Sequence, residues 1–217
     1  MIRIYPFIFI LLWSSAFITT KPIVDDSDPF SALAFRFFFV SIGFYLFSIY
    51  LKQSIIVRQK NVIESVLSGV LFHGLYLGGV FYSISIGMPT GIAALIVTLQ
   101  PILTNALSGP ILGEKVTLKQ WIGVLLGFLG AALVLGIEVG SEIPLLGLIA
   151  TIIALISITS STIWQKKLSN NLPLSVSNFY QAIGGCLFHL MIIIFFADPY
   201  INFSKTFIIA MSHQVFL

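Results

Sequence analysis

The sequence predicts an all-α fold: a polytopic membrane helical bundle arranged as an inverted five-helix repeat. Three observations carry that expectation. Hydrophobic residues make up 58% of the 217-residue chain and charged residues 9%, against about 25% charge in a soluble domain. The mean hydropathy is +1.04, and the apolar residues fall in long blocks rather than in the short alternation of a β-barrel. The later part of the chain also restarts the earlier part. Helices satisfy their own backbone hydrogen bonds, as a segment crossing lipid must.

Spans need about 20 apolar residues each. They are expected near residues 4–22, 31–51, 63–86, 90–112, 118–137, 145–165 and 175–197, which gives at least seven crossings. An incomplete eighth runs from about Thr206 to Leu217. Arg3 before the first block, and Ser14 and Ala16 within it, resemble a cleavable signal. The later helices alternate in phase with this block, so it reads as a retained first span. Short connections hold Pro22, Pro29, Gly87, Pro89, Gly113, Pro144, Pro173 and Pro199. No linker sets off a soluble domain.

Loop charges give the spans a direction. With the N-terminus cytoplasmic, the inner segments hold Arg3, Lys52, Arg58, Lys60, Lys115, Lys119, Lys166 and Lys167, and the outer ones only Lys21 and Lys205. Asp25, Asp26, Asp28, Glu138, Glu142 and Asp198 lie on the outer side. The remaining basic residue, Arg36, lies within the second span. No basic run of the kind that binds nucleic acid is present. The single cysteine, Cys186, excludes a disulfide framework and reads as a small apolar residue inside a helix.

The restart is visible in two places. Leu12–Lys21 (LWSSAFITTK) aligns with Ile158–Lys167 (ITSSTIWQKK), and Pro29–Phe37 (PFSALAFRF) with Pro173–Gln181 (PLSVSNFYQ). In the second alignment Pro29, Ser31 and Phe35 meet Pro173, Ser175 and Phe179. Five spans per unit is an odd number, so the second unit enters the membrane from the opposite side. Inverted repeats of this kind are common among secondary transporters, with substrate held near the midplane. The units are residues 1–137 and an incomplete 145–217. The alignment sets Leu217 opposite His73, in the middle of a span. The second unit is therefore expected to lack about two and a half spans, as a fragment or a truncated reading frame would.

At this point the residues carry a family resemblance. The chain resembles EamA-type transporters of the drug/metabolite transporter superfamily. The first span holds Trp13-Ser14-Ser15-Ala16-Phe17, an aromatic followed by small residues, and the second opens with PFSALAFRF. Leu99–Leu135 reads LQPILTNALSGPILGEKVTLKQWIGVLLGFLGAALVL, similar to the family's Pro…Leu-Gly-Glu…Gln-x-x-Gly…Gly run. The resemblance implies a ten-helix carrier of the inner membrane that moves small metabolites or amino acids, often outward. An inactive or non-transport membrane protein from a truncated carrier gene is the alternative. No catalytic constellation, metal cluster or cofactor pattern is apparent, so an enzyme is not expected.

Candidate site residues follow from depth and face. Gly69, His73, Tyr76, Ser83 and Gly87 share a stripe on the third span, and His73 lies roughly 15 Å deep. It reads either as a neutral residue bonded to a neighbouring helix or as a cavity ligand. In the fourth span Thr90, Ala94, Thr98, Pro101, Asn105 and Ser108 share a face, with Gln100 beside it. Pro101 there either kinks the helix or opens a binding point. Trp13 and Ser14 in the first span mirror Ser157, Ser161 and Trp164 in the sixth; Trp164 is also placed as an interfacial anchor. Arg36 either snorkels outward or offers a counter-charge to an anionic solute, and Tyr180 occupies its matching position in the second unit. The expected cavity set is Trp13, Ser14, Arg36, His73, Tyr76, Gln100, Asn105 and Tyr180. No Asp or Glu lies deep in any span, which makes His73 the expected deep titratable group. Glu114 is expected to fix a turn. Gly123, Gly127 and Gly130 form a packing face that would close the bundle or join two copies in a homodimer.

Overall fold

A computed structural model describes residues 5–113, 116–135, 143–168 and 172–216. Its helices are α1 (Tyr5–Asp26), α2 (Pro29–Tyr50), α3 (Gln59–Gly69), α4 (Leu77–Ser85), α5 (Thr90–Val97), α6 (Gln100–Leu112), α7 (Leu118–Leu135), α8 (Leu145–Leu168), α9 (Leu174–Phe196) and α10 (Lys205–Phe216). A π-helical segment, Val70–Tyr76, joins α3 to α4 without a break. Glu114, Lys115, Glu138 and Glu142 lie outside the described residues, and with them the turn role expected of Glu114.

Among the described residues, five helical stretches are long and apolar enough to cross a membrane: Pro29–Tyr50, Gln59–Ser85, Thr90–Ile111, Leu145–Lys166 and Leu174–Phe196. They stand where the sequence puts spans two, three, four, six and seven. At 1.5 Å per residue, α1 with 22 residues and α7 with 18 residues rise about 33 and 27 Å. They occupy the positions of the first and fifth spans. The molecule is a polytopic helical bundle.

Local chemistry sets several boundaries. Asp28 caps α2 by accepting the Ser31 amide at 2.7 Å, and Pro29 begins that helix with its φ already suitable. Gly113 takes φ +70° beyond the last turn of α6, a conformation that favours glycine. The first helix differs from expectation: it runs through Pro22 to Asp26 rather than stopping at Pro22. An exposed Lys21–Asp25 ion pair across one turn supports this added segment.

The burial pattern matches a lipid solvent. Large apolar side chains face outward, among them Leu11, Ile18, Leu133 and Ile194, each more than 70% exposed. The interior holds small polar groups instead: Ser68, Ser83, Thr151 and Ser161 are fully buried. Thr151 and Thr159 donate to carbonyls of the preceding turn, so no hydroxyl at these positions is left unpaired.

Helices α2 and α9 form the central pair, and α9 also lies against α3 and the π segment. Glycine permits this second contact. A side chain at Gly69 would strike the main chain of Gln181, and one at Gly184 would strike the main chain of Val66. Each helix thus offers a glycine to the backbone of the other, as in close-packed membrane helices. Helix α8 packs on α3, the π segment and α4, while α1 packs on α10.

The loops gather at two ends. At one, Ser27 and Ile201 form an isolated antiparallel bridge, Asp28 N–H donates to Tyr200 O at 3.1 Å, and Asn202 N–H donates to Asp26 O at 2.8 Å. The Asp26 carboxylate also accepts from Asn202 Nδ2 at 3.1 Å and Ser204 Oγ at 2.5 Å. At the other end, Ser175 hydrogen-bonds Gln53, and Tyr180 Oη donates to Ile55 O at 2.8 Å. Loops that the span count sets on one side do meet on one side.

Candidate functional site: a cavity at two irregular helix segments

Two of the crossing segments lose regular α geometry in their middle. The third winds as a π-helix over Val70–Tyr76. π turns are rare and recur at functional sites. The fourth is interrupted between α5 and α6 at Thr98 and Leu99. Pro101 has no N–H to donate back up the helix, and Leu99 N–H bonds Ile96 O at 3.1 Å, three residues back rather than four. The helix is interrupted just before Pro101, as both a kink and a binding point would require.

These segments border two cavities that share Trp13, Phe17 and Phe72. The smaller, about 90 Å³, is also lined by Arg36, His73, Tyr76 and Gln214. The larger, about 590 Å³, takes in Ser14, Thr98, Gln100, Pro101 and Thr162. Six expected site residues thus come together: Arg36, His73 and Tyr76 around the inner lobe, Ser14 and Gln100 around the outer, and Trp13 at both. The other two do not join them. Tyr180 sits at the end of the bundle with its hydroxyl on the Ile55 carbonyl, and Asn105 lies one turn beyond Pro101, half-buried, with its carbonyl accepting Ser108 Oγ at 3.0 Å.

Around the inner lobe the contacts are specific. Arg36 Nη1 donates to Gln214 Oε1 at 2.9 Å, and its guanidinium carbon lies 5.4 Å from the centre of the Phe37 ring. Gln214 is itself held by α1, donating from Nε2 to Ala16 O at 3.0 Å, Thr19 Oγ1 at 3.1 Å and Thr20 Oγ1 at 3.2 Å. The His73 ring centre is 4.5 Å from that of Phe37, and Phe72 meets Tyr76 edge-on at 5.4 Å. His73 Nδ1 and Arg36 Nε are buried without an acceptor or donor partner among the described residues. In the outer lobe, Gln100 Nε2 is within 3.2 Å of both Thr104 Oγ1 and Thr162 Oγ1, which ties α6 to α8.

Two functional-looking residues escaped the sequence reading. His189 is completely buried on α9, and its Nε2 lies 2.9 Å from the His73 carbonyl oxygen. His73 is therefore not the sole deep histidine, as had been expected. The signal for His189 was present, since it is an isolated ionisable residue inside an apolar run. Gln214 is 1% exposed; it lies in the short final helix, where composition alone gives no depth.

A third cavity, about 1230 Å³, opens at the end of the bundle away from the Ser27–Ile201 bridge. Arg58, Lys60, Asn61 and Glu64 line it, together with Ser160 and Trp164. Trp164 is thus half-buried against a polar vestibule. The glycine face of α7 behaves differently from the stripe at Gly69. A side chain added at Gly123, Gly127 or Gly130 would meet nothing within 4 Å, so these glycines do not close the bundle among the described residues. Cys186, as expected, sits within a helix, with its Sγ 3.6 Å from the Ala34 carbonyl oxygen.

A multi-pass helical bundle with large apolar side chains outside and small polar ones inside defines an integral membrane protein. The chain belongs to the EamA-like transporter family, whose pattern matches residues 3–136. It is 27% identical over 166 residues to an uncharacterized transporter of Bacillus subtilis (strain 168), YvbV, covering 71% of this chain and 53% of that protein. It is 24% identical over 166 residues to a probable amino-acid metabolite efflux pump of Salmonella typhimurium, covering 76% and 53%. A protein of the same description in Escherichia coli (strain K12) is 24% identical over 164 residues, covering 75% and 52%. The chain spans about half the length of the curated relatives it matches.

Proposed function

We propose that this chain forms the solute-binding part of a secondary carrier for small metabolites or amino acids, working in the direction of export. The observation that carries the reading is the two-lobed cavity set where the third span turns π-helical and the fourth is interrupted. Carriers bind solute near the midplane at such discontinuous helices, whose backbone groups are free to serve as ligands. The description of two relatives as probable amino-acid metabolite efflux pumps supports both the solute class and the direction.

The inverted repeat belongs to the same reading. Its units are residues 1–137 and 145–217. A two-fold axis in the membrane plane would pair α2 with α9, and would exchange the contact of α1 with α10 for that of α8 with α3. All these contacts are present. Loop charges support a cytoplasmic N-terminus in the inner membrane. In that orientation the stitched end at Ser27 and Ile201 faces outward and the vestibule at Arg58 and Lys60 faces the cytoplasm. Such an arrangement suits a carrier open to the inside, with alternating access through rocking of the two units. A second copy on the open glycine face of α7 completes the proposal.

The test is solute flux. Liposomes containing the protein are loaded with a panel of amino acids and small organic metabolites and followed for release. Movement of at least one class, reduced on His73→Ala or Trp13→Ala, is the expected result. No movement across the panel would overturn the carrier reading and favour a membrane protein without transport activity.

A further inference from the structure

Among the described residues, the inner lobe holds a cation with no anion beside it. Among the described residues the ion pairs are Lys21–Asp25 and Lys60–Glu64, and neither is at this cavity. Arg36 reaches the lobe from α2 and gives one N–H, on Nη1, to the neutral oxygen of Gln214. Its Nε–H is sealed from solvent and has no acceptor. A buried donor left unmet on a charged group is costly, and a guanidinium edge fits the two oxygens of a carboxylate.

Gln214 explains why the arginine is oriented but not neutralised. Its amide nitrogen is committed to three acceptors on α1, so its oxygen is held at Nη1 and fixes the plane of the guanidinium. A carboxylate at position 214 would neutralise the arginine; the amide orients it and leaves the charge available. Thr20, His73 and Tyr76 add polar groups to this lobe, and Leu77, Val80 and Phe81 complete it with apolar ones. Trp13, Phe17 and Phe72 line both the inner lobe and the larger one, so a ligand anchored at Arg36 would lay an aromatic or aliphatic body against them.

We infer that the inner lobe is a carboxylate subsite: Arg36 takes the carboxylate of a small amphiphilic monocarboxylic acid through its free edge, Gln214 acts as the positioning residue that fixes the guanidinium, and the wall of Trp13, Phe17 and Phe72 takes the ligand's apolar body. One positive charge balances a monocarboxylate and not a dianionic phosphate. This inference rests on the carrier reading for its purpose, and names the class of solute that the carrier would accept.

Equilibrium binding to the 217-residue chain in zwitterionic-lipid nanodiscs tests it with three matched probes: 3-phenylpropionate, 3-phenylpropanamide and 2-phenylethyl phosphate. The acid is expected to bind at least ten-fold more tightly than the amide. In Arg36→Gln that ratio should fall to about one. Gln214→Glu keeps the shape of the side chain and supplies an internal carboxylate, so it should remove the acid preference in the same way. A wild-type ratio near one overturns the subsite before any variant is made. So does a ratio that survives in either folded variant, or phosphate binding as tight as that of the acid. Flux without preference for acids would remove the carboxylate assignment alone. Acid-selective binding without any flux would keep the subsite and remove the carrier reading.

Discussion

His189 Nε2 donates to the main-chain carbonyl of His73, joining the middle of α9 to the π segment at 2.9 Å. A carbonyl can only accept, so the proton of His189 is on Nε2. Its ring also stacks on Phe37 at 6.1 Å with an interplanar angle of 12°. The bond therefore fixes both the histidine and the irregular turn that borders the cavity. His189→Phe keeps the ring stacking and deletes the donor. It should lower stability by about 0.5–2 kcal/mol, the range for a single buried bond between membrane helices. Thermal unfolding in detergent reads this directly; an unchanged midpoint would mean that the bond contributes nothing.

The two glycine faces should respond in opposite ways. Gly184→Ala drives a methyl group into the main chain of Val66, which requires α3 and α9 to separate. A loss of about 1–3 kcal/mol is expected, as for other overpacked cores. Gly123→Ala meets open space and should be neutral or stabilising by up to about 1 kcal/mol. Equal effects at the two sites would contradict the close approach of α3 and α9.

A bulky residue on that open face tests association. Gly127→Leu starts from open space, because nothing lies within 4 Å of the added Cβ, and unchanged helicity by circular dichroism checks that the fold is kept. If a second copy packs there, the variant should be monomeric where the wild type is dimeric, as measured by light scattering of detergent-solubilised protein. Identical masses for the two proteins would exclude this face as an interface.

The stitched end depends on one carboxylate. Asp26 accepts from both Asn202 and Ser204. In Asp26→Ala the loop around Ile201 loses both side-chain bonds, each worth about 1–3 kcal/mol for a charged acceptor. Amide exchange at Asp28 and Asn202, whose N–H groups bridge the two loops, should accelerate at least ten-fold. Exchange at the wild-type rate would show that the backbone bridge holds the end closed by itself.

Much of this architecture was legible in the sequence, because the bilayer imposes length and polarity on every span. Apolar block length alone located the crossing stretches, and Asp28-Pro29 and Gly113 marked boundaries through capping chemistry. Pro101 pointed to the interrupted fourth span. Six cavity residues were found because a polar or aromatic group at mid-depth has few reasons to be there other than an interior face. The misses share a different cause. Tyr180 and Asn105 were placed by repeat position and by helical face, neither of which says which neighbour is opposite. Gln214 and His189 gain their roles from partners far away in the chain, Arg36 and the His73 carbonyl. The π winding has no composition signal at all: Val70–Tyr76 reads as an ordinary α segment, and an insertion of one residue in the turn is visible only once the hydrogen bonds are known.

That winding has a consequence for how the third span is built. Gly69, Gly74 and Gly78 turn toward α9, at Gln181, Phe188 and His189, whereas Gly79 turns toward Ala150 and Ala154 of α8. One rod thereby seats two neighbours along its length, with small residues on both faces and the wide turn between its halves. A wide π turn houses one residue more than an α turn, so deleting a single residue from Val70–Tyr76 would restore α geometry and leave the downstream helix nearly in phase, whereas the same deletion in a regular stretch would swing everything beyond it by about 100°. The span can thus absorb a one-residue change at this turn that an unbroken α-helix could not absorb without turning its far half to other neighbours.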